Sequence, residues 1–166
     1  NLVTTKIKQF KFWLLNTLIQ VISNKYLNMP NNIRDNFRQY LISVFSIDFE
    51  KVFDEYFIIE KYCELFNKFI FYDFPENNNT IFNDILKDIY GTKEINIKIN
   101  KLYLLLEIFN IFNEEFIQFR HTYNELQINR SNTIKDYMRK NTVQNLLIIL
   151  KEIIQNVFFI FVFFIS

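Results

Sequence analysis

An all-α fold is expected of this chain, a single bundle of five or six helices with two long antiparallel helices and an apolar C-terminal helix. Three observations predict it. Apolar residues recur every three or four positions almost throughout the 166 residues, the signature of amphipathic helices. One glycine and two prolines leave too few left-handed turn positions for a fold rich in β-hairpins. The one stretch with period two, Ile95 to Ile99, lies inside a longer helical stripe and has no second strand to pair with.

The elements follow in order. Residues 5–26 place Phe10, Trp13, Leu14, Leu18, Val21 and Ile22 on one face. Pro30 disfavours helix at Met29, and Asn31 or Asn32 can cap the next helix, 33–45, with Ile33, Phe37, Tyr40, Leu41 and Val44 inward. Residues 49–72 carry Val52, Tyr56, Ile59, Cys63, Phe66 and Ile70 at alternating steps of four and three. Phe49, Phe53 and Phe69 widen that seam, and the charged residues of the other side read as a solvated face.

The Asn- and Pro-rich run 73–80 is the clearest loop. A short helix, 81–90, presents Ile81, Ile85, Leu86 and Ile89, and Gly91 stands where a helix end favours a left-handed residue. Helix is expected over 93–126, striped by Ile95, Ile99, Leu102, Leu106, Phe109, Phe112, Phe116, Phe119 and Tyr123. A break is expected at Asn129–Asn132, with the last helix starting near Thr133. Its inward residues are Leu146, Leu147, Leu150, Ile153, Ile154 and Val157. No internal repeat at a solenoid period stands out, so residues 1–166 read as one domain.

The chain ends in nine consecutive apolar residues, 157–165, five of them Phe. Spanning a bilayer takes ~20 apolar residues. Extending back to Leu146 takes in Lys151, Glu152, Gln155 and Asn156, and a mid-membrane Lys costs on the order of 2.5–3.5 kcal/mol. A buried last helix is the first expectation. Insertion into a partner or membrane, or the start of a longer apolar segment, are the others. Phe158, Phe159, Phe161, Phe163 and Phe164 surround the helix rather than lining one face, so they are the expected partner or membrane contacts.

Composition excludes several chemistries. Phe, Tyr, Ile, Asn, Lys and Met fill 94 positions, and alanine is absent, which points to coding from an AT-rich genome rather than to an aromatic binding site. One glycine cannot build a Gly-rich phosphate loop. One cysteine, Cys63, excludes an intramolecular disulfide and a Cys-based zinc site. A net charge of +1 leaves no electrostatic footprint for duplex nucleic acid. The first residues lack an apolar run ending in a small-residue cleavage site, so no signal peptide is expected and an intracellular setting is favoured over secretion. No metal, cofactor or small-molecule ligand is expected.

His121 is the one histidine, and no Glu stands three residues before it as a di-iron bundle would need. His121-Thr122-Tyr123 resembles the end of the Arg-x4-His-x-Tyr signature of helical HEPN nucleases. The position of that arginine holds Phe116, and Arg120 points about 100° away on a helix. The resemblance implies an RNA-acting protein centred on His121 and Tyr123. The leading expectation is different: a non-enzymatic helical interaction or assembly protein, engaging a protein partner or membrane through its tail.

Overall fold

A computed structural model describes residues 2–46, 55–114 and 124–165, with side chains for 5–46, 55–114 and 124–155. Among these residues there are seven α-helices, where five or six were expected, and no strand. They are α1 (Leu2–Lys25), α2 (Asn31–Ser43), α3 (Tyr56–Asp73), α4 (Ile81–Gly91), α5 (Ile95–Asn113), α6 (Glu125–Asn141) and α7 (Val143–Ile165). Short 3-10 turns, Tyr26–Asn28 and Val44–Ser46, follow α1 and α2. The all-α class holds, and Ile95–Ile99 is helix.

Helix α3 is the centre. Tyr62, Cys63, Leu65, Phe66, Asn67, Phe69 and Ile70 are all buried, so the helix is enclosed almost all round. Helices α1 and α5 pack along it, and α6 meets its C-terminal end. Phe66 links Phe45, after α2, to Phe82 of α4 at ring separations of 6.4 and 6.1 Å. Phe74 turns its edge to Phe82 and Tyr137, at 5.2 and 5.1 Å. Helices α1 and α3 run in the same direction. Lys8 meets Glu55 at one end, Phe12 stacks edge-on to Phe57, and Tyr26 meets Asp73 at the other end.

Several expected faces are rotated. In α1 the core takes Leu15, Ile19 and Ile22, followed by Tyr26, while Phe10 and Trp13 are each 60% exposed and Leu14 is exposed too. The helix is apolar on two sides, and the buried Tyr26–Asp73 hydrogen bond holds the Leu15 side inward. Leu41 of α2 and Val44 just after it go in, but Ile33 and Tyr40 stay out. Tyr56 of the expected seam is also exposed, and Val52 lies outside the described residues.

In α5 the buried set is Leu102, Leu104, Leu105, Ile108 and Phe112, with Ile99 and Leu106 exposed. Two lysines set that rotation. Lys98 donates to Glu152 at 3.0 Å, and Lys101 donates to Asp88 at 2.6 Å and Thr92 at 3.0 Å. Their stems are buried while their charges find partners. In α7, Ile149 and Ile153 go in, whereas Leu147 and Ile154 are exposed. Helix α4 matches its expectation: Ile81, Ile85, Leu86 and Ile89 are buried, joined by Phe82.

Boundaries differ as well. Asn129–Asn132 is helical, inside α6. Ser131 and Thr133 donate back to the carbonyls of Gln127 and Asn129, so their hydroxyls are satisfied within the helix. The helix expected over 93–126 is not continuous: α5 ends at Asn113, and Asn124 is extended and opens α6. Its side chain accepts from the Gln127 N–H at 2.9 Å, and the Gln127 side chain accepts from the Asn124 N–H at 3.0 Å, a reciprocal capping box. Asn124→Ala is expected to cost about 1 kcal/mol of stability in urea denaturation. Gly91 is not left-handed, because α4 continues through it into an extended Thr92. The expected caps Asn31 and Asn32 lie inside α2, after Pro30.

Candidate interaction surface

An open cleft of about 430 Å³ lies between α4 and the first turns of α7. Leu86 and Ile149, both buried, form its floor. Ile148 and Tyr90 stand on its walls, 59% and 58% exposed. Asn83 and Asn145 face each other across one edge, where the Asn145 amide donates to the Asn83 oxygen at 3.1 Å. Thr80 and Lys87 complete the rim, and Gly91 leaves one end open, with no atom within 4 Å of where a Cβ would stand.

Local sequence explains how the cleft is held. Helix α4 buries five apolar residues on one side, which turns Asn83, Lys87 and Tyr90 outward. Thr80 opens the helix and donates to Asp84 at 2.7 Å, and Asn78 accepts from the Thr80 N–H. Helix α7 starts after buried Thr142, whose N–H is bonded to the Met138 carbonyl. Lys98 braces the Tyr90 wall, with its ammonium 5.6 Å from the ring centre. The result is an apolar trough with amide hydrogen-bonding groups and one lysine at its edge.

A second cavity, about 180 Å³ and polar, is lined by Asn31, Arg34, Asp35, Arg38 and Asn77. Beneath it Asp73 is buried, gripped by Arg38 through two hydrogen bonds of 2.8 and 2.9 Å. The Tyr26 hydroxyl donates to the same carboxylate at 2.5 Å. Burial, reinforced by the hydrogen bond to Asp73 and its charge, pushes the Tyr26 phenol up to about 12. The hydrogen bond to Asp73 raises the Arg38 guanidinium above its ordinary value against the opposing effect of burial. Arg38 also reaches Asp35 at 2.6 Å. Arg34 caps the Tyr26 ring at 5.1 Å. Tyr26, Arg38 and Asp73 thereby join the turn after α1 to α2 and α3.

Nothing described resembles a reaction centre. Cys63 is buried, and burial drives its thiol well above the ordinary range, so it stays protonated and inert. Among the described residues no group of three or more His, Cys, Asp or Glu could hold a metal ion. No described helix is long and apolar enough to cross a membrane. His121 and Tyr123 lie outside the described residues. Phe158, Phe159, Phe161, Phe163 and Phe164 lie on the backbone of α7, with their side chains outside the description. The cleft residues escaped the sequence reading because Asn83 and Asn145 are 62 positions apart, on helices whose pairing leaves no local signal.

A family model described as Exportin 1-like protein matches residues 55–160. The match opens at the residue preceding α3, takes in both walls of the cleft, and leaves out α1 and α2. No curated protein and no solved structure matches the chain.

Proposed function

Because the chain belongs to the Exportin 1-like protein family, we propose that it is a non-enzymatic helical interaction protein that holds a segment of a protein partner, in the setting of transport. One observation carries this reading: the α4–α7 cleft lies inside the matched region and pairs an apolar floor with an amide rim. Leu86 and Ile149 would take an apolar side chain, while Asn83 and Asn145 would exchange their mutual hydrogen bond for bonds to a peptide backbone. We read the body as a single bundle, with α3 and α5 packed together at its centre, and the apolar residues 157–165 of α7 as a second contact for the same class of partner.

Peptides selected from a displayed library on the folded chain are expected to be apolar in at least one position. Ile148→Glu puts a charge on the cleft wall without disturbing the core, and should weaken the selected peptides by roughly tenfold. Peptides that bind Ile148→Glu and the parent equally well would overturn the cleft reading. Removing residues 157–166 should lower affinity for a full-length partner while leaving peptide binding in the cleft intact. Loss of helical circular dichroism on that deletion would instead identify the tail as part of the core.

A further inference from the structure

We propose that the outward face of α1 docks on an anionic lipid surface. The helix lies at the edge of the molecule, with its main packing against α3 and the turn that follows it. Its inner face, Leu15, Ile19 and Ile22, is used by the core. Its outer face is a second apolar stripe. Ile7, Phe10, Trp13 and Leu14 are all exposed, and the rings of Phe10 and Trp13 stack at 6.1 Å. None of these four residues lines either cavity described above.

Charge decides what such a ridge fits. The 24 residues of α1 include Lys6, Lys8, Lys11 and Lys25 and no Asp or Glu. Lys8 is engaged by Glu55, the residue that precedes α3. Lys6 and Lys25 are exposed, and at 100° per residue both fall on the same side of the helix as the apolar stripe, Lys6 between Phe10 and Trp13 and Lys25 in line with Ile7 three turns beyond Leu14. Exposed aromatic and aliphatic residues sharing a face with lysines, with no carboxylate on the same helix, suit a helix lying in the plane of anionic headgroups. The tryptophan adds an amphipathic ring suited to that depth. Docking of this kind needs no membrane-crossing helix, and the face is separate from the α4–α7 cleft, so either reading can fail without the other.

Trp13 is the only tryptophan in the chain and reports on this face directly. Vesicles of mixed phosphatidylglycerol and phosphatidylcholine are expected to shift its emission to the blue and to sediment the full chain, and brominated acyl chains should quench it. Pure phosphatidylcholine vesicles should do so far less. Phe10→Gln with Leu14→Gln keeps the reporter and should lower vesicle partitioning by roughly tenfold or more, with unchanged circular dichroism because both positions face outward. Lys6→Glu should lower it by roughly fivefold, with a weaker dependence on salt. No sedimentation with anionic vesicles overturns the proposal. So does sedimentation without quenching of Trp13, or sedimentation unaffected by the double variant, since either would place the contact elsewhere, as on the tail. A blue shift with polyglutamate but not with vesicles would assign the face to an acidic protein segment and equally overturn it.

Discussion

Replacing Arg38 by Met is expected to destabilise the protein by about 3–5 kcal/mol, the largest effect of any single polar substitution. The reason is what remains behind. Asp73 is fully buried, and Arg38 supplies two of the hydrogen bonds to its carboxylate. Without the guanidinium a charge is left in the interior with the Tyr26 hydroxyl as its remaining described donor. The double variant Arg38→Met with Asp73→Leu removes both charges and should recover a large part of the loss. Urea denaturation of the parent, each single variant and the double variant gives the coupling directly. Equal losses in the single and double variants would show that the ion pair is not what holds α2 to α3.

The second large effect separates two phenylalanines that look alike in the sequence. Phe69→Ala should cost about 3–5 kcal/mol, because the ring is fully buried between Tyr26 and Phe37, at 5.7 and 5.3 Å. Phe10→Ala should change stability by no more than about 0.5 kcal/mol, since its ring is mostly in solvent. The comparison tests the rotation of α1 itself. If Phe10 proved the costlier of the two, α1 would present the opposite face to α3, and the outward aromatic stripe would not exist.

These two results bear on function through the same physical division. The Tyr26–Asp73–Arg38 network and the Phe66–Phe69 core hold α1, α2 and α3 together. The cleft is built on the other side, from α4 and α7, with Lys98 and Lys101 tying α5 to both of them. A variant that loosens the network should therefore change stability before it changes peptide binding, whereas Ile148→Glu should do the reverse.

The sequence by itself determined the class and the rough element list. Apolar spacing of three and four, with a single glycine, admits helices and leaves little room for hairpins, and the helix over 81–90 was legible down to four of its five buried residues, Phe82 being the fifth. That helix was readable because its amphipathicity is strong: one apolar side, one polar side, one way to pack. Helices α1, α5 and α7 are apolar on more than one side, so spacing alone leaves several faces equally suited to the core. Only tertiary structure chose among them, through partners far away in the chain. Asp73 draws in the end of α1, Glu152 and Asp88 fix the roll of α5, and α4 selects the Ile149 side of α7. The break at Asn124 was hidden for a related reason. Asparagine is so frequent here that it marks helix interiors and helix caps alike, and only the reciprocal bonds with Gln127 tell one from the other. The cleft and the aromatic ridge of α1 are both surfaces left over once those long-range charges have taken their places. Their residues are visible in the sequence, but their exposure is not, because burial belongs to the pairing of helices and not to any one of them.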